Sequence, residues 1–131
     1  MNHEWPYVYF TQNEMACKCG CGLLPLPVFM DVLEDMRIAA DFPFIVTSGA
    51  RCPAHNSKVA STGLNGPHTL CRAADIAVAG IKAWRVAELA FAKGMTGIGW
   101  KQHGPHGSRI IHLDNLDNSP LHPRPIIWSY P

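Results

Sequence analysis

Three side chains with metal-ligand chemistry stand at separated positions in this sequence. His68 and Asp75 lie seven residues apart, and His112 follows within the strand-like run from Arg109 to Asp114. Two neutral imidazoles and one carboxylate give a divalent zinc ion three protein ligands, which leaves the fourth position of a tetrahedral site for water. That open position is typical of catalytic rather than structural zinc. The set therefore predicts metal-assisted hydrolysis.

Spacing alone does not prove the site, so the elements that hold these residues matter. Residues 72–78 alternate as a half-buried strand does, with Asp75 on a face of small residues. Residues 108–113 form another expected strand, in which Ile110, His112 and Asp114 point to one side. If these two strands are neighbours, His112 can meet Asp75 and His68. The alternative is that the histidines are hydrogen-bonded cleft residues without a metal.

The remaining periodicities predict two main helices and further strands. Residues 27–40 place Phe29, Val32, Leu33 and Met36 at helical spacing, so this helix has one buried face. The second helix, 81–93, places Ile81, Trp84, Ala87 and Phe91 on a common face and ends at Gly94. Further strands are expected at 44–47, 96–100 and 126–128, and a polar loop at 52–67 with a short helical turn near 55–60. We therefore expect an α+β fold in which two main helices pack on a small antiparallel sheet that holds a zinc cleft.

Length and charge restrict the classes of protein that fit. A chain of 131 residues predicts a single domain over 1–131, with an irregular cysteine-rich segment at 1–25. Eleven basic and ten acidic side chains give a net charge of +1, which counts against general binding to nucleic acid or anionic membranes. No run approaches the roughly 18 apolar residues of a membrane span, and the N-terminus has no recognisable export signal. We expect a monomer that is made in the cytoplasm.

Five cysteines lie at positions 17, 19, 21, 52 and 71, and an odd number cannot all pair within one chain. The alternation of Cys17, Cys19 and Cys21 is too close for the usual Cys-x-x-Cys zinc knuckle. Together with Cys52 these residues could still form a site of four thiolates. The sequence leaves free thiols, one disulfide and a second zinc open, and free thiols are the expectation.

Several separated blocks resemble one enzyme family. Residues 48–56 read Ser-Gly-Ala-Arg-Cys-Pro-Ala-His-Asn and residues 66–75 read Gly-Pro-His-Thr-Leu-Cys-Arg-Ala-Ala-Asp. With the strand that contains His112, these blocks resemble the signature of the zinc D-Ala-D-Ala carboxypeptidase and Hedgehog-type peptidase family. The N-terminal Cys-x-Cys-Gly-Cys-Gly and the closing Arg-Pro-x-x-Trp-x-Tyr are similar to small phage-type murein peptidases. One departure is Cys71, which stands where the family has glycine and suggests an altered turn beside His68.

The resemblance implies a role for each matching residue. It implies that His68, Asp75 and His112 ligate zinc, and that Arg51 lies beside the metal. A guanidinium can grip a substrate carboxylate or a developing oxyanion with two parallel hydrogen bonds. Bound zinc would lower the pKa of water from about 15.7 to about 7. The substrate implied is the stem peptide of bacterial peptidoglycan.

The residue that should accept the water proton is missing from its usual place. Many relatives have an acidic residue three positions before the third ligand, but here that position is Arg109. Asp114, on the face of His112, is the favoured replacement, and His106 on the preceding loop is the alternative. Asp114 could instead hold the imidazole of a ligand in its metal-binding tautomer. For His103 and His106, solvated loop positions are the plainer interpretation.

These residues favour one function over two alternatives. The first is a zinc metallopeptidase that cuts stem peptides as a D,D-carboxypeptidase or endopeptidase, in cell-wall lysis or remodelling. The second is a catalytically silent zinc-containing domain that binds the cell wall, which the replaced acid favours. A cysteine-rich nucleic-acid module is the third, and the near-neutral charge counts against it. Without an export signal, the expected route to the wall is a lytic system of a phage or prophage. The sequence does not specify which bond is cut.

Overall fold

The computed structural model describes residues 5–131, which adopt an α+β fold. Residues 1–4 of the predicted irregular N-terminal segment lie outside this range. The described strands are β1 (Ile45–Ser48), β2 (Ala73–Ala77), β3 (Gly97–Lys101), β4 (Ile110–Asp114) and β5 (Ile126–Ser129). The described helices are α1 (Gln12–Met15), α2 (Pro27–Ala40), α3 (Pro53–Val59) and α4 (Ile81–Lys93), with short 3-10 helices at Pro67–Leu70 and His106–Ser108.

The five strands form one sheet in the order β1-β2-β4-β3-β5. The pairs β1/β2, β2/β4 and β4/β3 are antiparallel, whereas β5 runs parallel to β3. The expected α+β class is thus confirmed, and the sheet is mixed rather than wholly antiparallel. The parallel edge arises because residues 115–125 return the chain along the sheet before β5 begins. Strands β2 and β4 are neighbours, as the predicted metal site requires.

Helix α2 has the bounds that its apolar periodicity predicts. Pro27 occupies the first turn, where its missing N–H costs no hydrogen bond, and Asp41 ends the helix in a left-handed conformation. The helix buries most of this face, with Val32 half-buried at its edge, and the buried residues are Phe29, Met30, Leu33 and Met36. Together with side chains from α4 and the sheet, these residues form the hydrophobic core.

Helix α4 also has its predicted bounds, and Gly94 ends it with φ of 88°. Its buried face is, however, not the face that the large apolar residues mark. The core-facing residues are Ala83, Val86, Leu89 and Ala90. Ile81, Trp84 and Phe91 are instead 85%, 71% and 61% exposed. Small side chains face the core because α4 packs closely on α2, so residue size, rather than hydrophobicity alone, decides which face is buried.

The turn before β2 keeps a conformation that normally favours glycine. Cys71 follows the 3-10 helix Pro67–Leu70 with φ of 61° and ψ of 29°, in the left-handed region. Cys71 therefore adopts the left-handed backbone conformation that a glycine at this position would favour. None of the helices in residues 5–131 has both the length and the apolar character needed to cross a membrane.

Candidate active site

The three predicted metal ligands come together on the sheet. Asp75 and His112 occupy the middle of β2 and β4 and are directly opposite each other in the antiparallel register. His68 reaches them from the 3-10 helix that precedes β2. One ligand atom from each residue lies within 4.8 Å of the other two. Asp75 Oδ1 is 2.9 Å from His112 Nδ1 and 3.3 Å from His68 Nε2.

Hydrogen bonds on the far side of each ring determine which imidazole nitrogen faces Asp75. The backbone carbonyl of Gly49 lies 2.7 Å from His68 Nδ1, and a carbonyl can only accept, so Nδ1 is the protonated nitrogen. The carboxylate of Asp114 lies 2.8 Å from His112 Nε2 and accepts from it. His68 Nε2 and His112 Nδ1 are therefore the nitrogens available to a metal. Such partners are the usual means of orienting ligand histidines.

Both carboxylate oxygens of Asp114 accept hydrogen bonds, and the residue lies behind His112 as seen from Asp75. Its side chain has 0% exposure, and Arg124 donates to it from Nε and Nη2, both at 2.8 Å. Burial raises the pKa of Asp114, but hydrogen bonds from His112 and Arg124 outweigh it and lower the pKa to about 2. Gly97 on β3 makes room for this carboxylate, since a Cβ there would lie 2.3 Å from its oxygens. The carboxylate contacts the His112 nitrogen that faces away from Asp75.

Three polar contacts hold Arg51 beside Asp75. Its Nε donates to Ser48 Oγ and its Nη1 to Asn56 Oδ1, each at 3.0 Å. Its Nη2 lies 3.5 Å from Asp75 Oδ2, the carboxylate oxygen that the histidines leave free. Burial raises the pKa of Asp75, but hydrogen bonds from His112 and His68 lower it far below its usual range. The site therefore contains a permanent cation next to an ionised carboxylate.

Asn56 has a positioning role that sequence reasoning missed. This fully buried side chain accepts from Arg51 and donates to Thr62 Oγ1 at 2.9 Å and to the Gly63 carbonyl at 2.6 Å. It thereby links Arg51 to the loop after α3. Its presence in the block 48–56 was the only sequence signal for it.

An open cleft of about 560 Å³ lies over the ligands. Trp128 from β5 stands against His112 with the ring centroids 5.1 Å apart. Gly99 on β3 permits this contact, because a Cβ at that position would lie 2.8 Å from the indole. Tyr130 continues the same wall, and burial raises the pKa of its hydroxyl. The two C-terminal aromatic residues therefore line the cleft.

The remaining histidines and arginines of the C-terminal third differ in whether they reach the cleft. His122 and Arg124 line the cleft, although neither was predicted to do so. His103 and His106 do not line it, and His106 lies in the exposed 3-10 helix before β4. Arg109 turns back to donate to the Gly104 carbonyl at 3.0 Å. The motif Arg-Pro-x-x-Trp-x-Tyr near the C-terminus was the available signal for this second wall.

Comparison with known proteins identifies a peptidase family. A family model described as Peptidase M15 matches residues 8–114, a range that contains all three predicted metal ligands, Arg51 and Asp114. No curated protein matches the chain.

Proposed function

This chain belongs to the peptidase M15 family, and from that premise we propose that it is a zinc-dependent metallopeptidase that hydrolyses the stem peptides of bacterial peptidoglycan. The family match over 107 of the 131 residues, 8 through 114, supports peptidase chemistry. The observation on which the proposal depends is the meeting of His68, Asp75 and His112 on the floor of an open cleft.

The donor set fits zinc. His68 Nε2, His112 Nδ1 and one oxygen of Asp75 are two neutral nitrogens and a carboxylate, which suit a borderline divalent ion. Both imidazoles have partners that fix the tautomer, and the cleft leaves one side of the set open to solvent. Zinc bound there would supply a Lewis acid that activates water and polarises a carbonyl.

Arg51 would bind the substrate rather than move a proton. Ser48 and Asn56 hold the guanidinium by Nε and Nη1, so Nη2 lies beside Asp75 with the planar fork already oriented. A guanidinium fixed in this way can hold a terminal carboxylate of a stem peptide or the oxygen that gains charge during attack. Little side-chain entropy is then lost when the substrate binds.

We propose that Asp114 positions His112 and does not act as the base. Its oxygens already accept from His112 and from Arg124, and the side chain has no exposed surface. A base must reach the proton that it removes, and Asp114 lies behind the ligand. This assigns to Asp114 the second of the two roles that the sequence left open.

His122 is our candidate for proton transfer. Arg51, Arg124 and Tyr130 are poor proton acceptors at neutral pH, which leaves His122 as the titratable cleft-lining residue outside the ligand set. Its Nε2 lies 3.2 Å from the Asn65 carbonyl, which can only accept, so Nδ1 is the acceptor nitrogen of the ring.

The second candidate function is a silent zinc-containing domain that binds the cell wall. Two observations favour it: Arg109 occupies the position where relatives have an acid, and Asp114 is fully engaged. Both functions place the protein at the wall, where the substrate is. Delivery by a phage or prophage lytic system stays a prediction.

One assay separates the two functions. Purified protein is incubated with peptidoglycan, and released fragments are identified by mass spectrometry with and without a chelator, then after zinc is restored. If the protein is a peptidase, it should release fragments, the chelator should abolish this release, and zinc should restore it. The fragment masses then distinguish the loss of one terminal residue from the cleavage of a cross-link. His122→Ala should lower this release, whereas the matched variant His103→Ala, outside the cleft, should not. If protein with zinc at the histidine site shows no chelator-sensitive release of fragments, the peptidase is ruled out and the silent cell-wall-binding domain is the remaining function.

A further inference from the structure

A second group of possible metal ligands lies outside the cleft, on the loop that follows α1. The Cys17 N–H donates to the Leu23 carbonyl at 2.9 Å, and the Gly20 N–H donates to the Cys17 carbonyl at 3.2 Å. Gly20 and Gly22 have φ of 88° and 85°, which ordinary side chains rarely adopt. The two glycines therefore allow a tight loop that gathers three alternate cysteines.

The fourth cysteine comes from a distant part of the chain. Cys52 precedes α3 as its N-cap residue. Its Sγ lies 3.6 Å from that of Cys19, which in turn lies 3.4 Å from the Sγ of Cys17. All four sulfur atoms, with that of Cys21, lie within 4.8 Å of one another. All five cysteines of the chain are free thiols.

We propose that Cys17, Cys19, Cys21 and Cys52 bind a structural zinc ion as a tetrathiolate site. With a zinc–sulfur bond of about 2.3 Å, the edges of a tetrahedron are about 3.8 Å, close to the sulfur separations of 3.4 and 3.6 Å. The backbone also fits thiolates: the Cys52 N–H points at Cys17 Sγ from 3.3 Å, and the His55 N–H at Cys52 Sγ from 3.4 Å. Such N–H donors stabilise a negatively charged sulfur.

The zinc site explains all four sulfur atoms, whereas a single disulfide would explain two. Cys71 provides a comparison within the same chain. It is buried at 8% exposure, does not belong to the group, and its thiol donates to the Thr69 carbonyl at 4.0 Å. Cys19 and Cys21 are exposed, so packing in the core does not account for them.

The site would fix the N-terminal loop to the segment that orients the catalytic residues. Between the two cysteine-containing segments, the Ala50 N–H donates to the Met15 carbonyl at 2.9 Å. Gly49 lies so close that a Cβ would be 2.2 Å from the same oxygen. Gly49 binds His68 through its carbonyl, and Arg51 immediately precedes Cys52. A zinc ion that joins Cys17 to Cys52 would therefore restrain both sides of the active site.

Metal content and cobalt spectroscopy test this site in the full chain. We expect two zinc ions per wild-type chain, one in Cys19→Ser/Cys21→Ser, one in His68→Ala and two in the matched variant Cys71→Ser. Cobalt-substituted wild type and His68→Ala should show thiolate-to-cobalt charge-transfer absorption, and the double cysteine variant should not. The spectrum reports on sulfur ligation directly, independent of catalysis. A zinc content that Cys19→Ser/Cys21→Ser does not lower would contradict this proposal. A zinc content that His68→Ala does not lower would contradict the proposed peptidase.

A measurement on the wild-type protein avoids the risk that a variant fails to fold. Titration with an organomercurial should release one zinc as four thiols react, while the other zinc stays bound. An equal rate of thiol alkylation with and without zinc would overturn the proposal. So would a disulfide within the group in protein purified under reducing conditions, or iron in place of zinc at this site.

Discussion

The two groups of potential metal ligands differ in their chemistry and in what holds them. The histidine and aspartate ligands are fixed by β2, β4 and the turn before β2, and His68 and His112 are 5% and 3% exposed. Three of the four cysteines lie on a glycine-containing loop, the fourth precedes α3, and two of the four are exposed. Three nitrogen and oxygen donors under an open cleft suit catalysis, whereas four sulfurs fill a tetrahedral coordination shell. The comparison suggests that this fold places a catalytic metal site and a structural metal site in different parts of the molecule.

The two groups are also physically connected. Residues 49–52 contribute the carbonyl that orients His68, the guanidinium beside Asp75 and the thiol of Cys52. A disturbance of the cysteine loop should therefore reach the histidine site through residues 49–52, although β2 and β4 also hold two of its ligands.

The largest expected effect comes from Asp75→Asn. A neutral amide keeps the shape but removes the only negative ligand, so the histidine site should lose zinc and peptidoglycan release should fall to background. Metal analysis should still find the zinc bound by the cysteines. Asp35→Asn, on the exposed side of α2, is the matched control and should keep both ions. Full zinc content in Asp75→Asn would show that Asp75 is not a ligand.

Asp114→Asn should have a smaller effect on metal binding. Loss of a partner that orients a ligand histidine typically weakens metal binding about 10- to 100-fold, and turnover should return when zinc is in excess. Stability should also fall, by about 3 kcal/mol, because Arg124 loses its buried carboxylate. Zinc titration and chemical denaturation measure the two effects, with exposed Asp117→Asn as control. Turnover that stays absent at full zinc occupancy would instead make Asp114 the base.

Lower pH should weaken zinc binding at the histidine site. Burial opposes charge on His112, but hydrogen bonds to Asp114 and Asp75 raise its pKa in the metal-free protein. A proton must leave His112 before zinc binds. Below the raised pKa of His112, a range that includes every pH under about 6.5, the affinity for zinc should therefore fall about tenfold per pH unit. The slope should be steeper for the cysteine site, where up to four thiols deprotonate. Competition with a chelator at several pH values measures both slopes, and equal slopes would contradict the difference in ligand type.

The smallest expected effect is that of Cys71→Gly. Glycine removes the strain that a side chain causes in a left-handed backbone, which stabilises the fold by about 1–2 kcal/mol. Loss of the buried thiol destabilises the fold by a similar amount. Unfolding free energy should therefore change by less than about 1 kcal/mol in urea denaturation. Zinc content should stay unchanged at both sites. A loss of either ion would show that Cys71 contributes to a metal site after all.

Local patterns predicted the elements well and the packing less well. The bounds of α2 and α4 follow from apolar periodicity together with Pro27 and Gly94, which act within a few residues of themselves. The exposed face of α4 was not predictable in this way. Ile81, Trp84 and Phe91 mark the more apolar side. Packing of α4 on α2 and the sheet instead buries Ala83, Val86, Leu89 and Ala90.

The sequence by itself determined the family, the elements and the residues able to bind metal, because ligand type, motif spacing and helical periodicity are properties of short segments. The tertiary structure decided how those residues are used. The register of β2 against β4 sets Asp75 opposite His112, and the return of the chain as β5 brings Trp128 and Arg124 to the site. Asp114 came to lie behind His112, and Cys52 came to lie beside Cys17. Apart from the contact of Asp114 with His112, these contacts join positions far apart in the chain, and only the packed fold defines their distances.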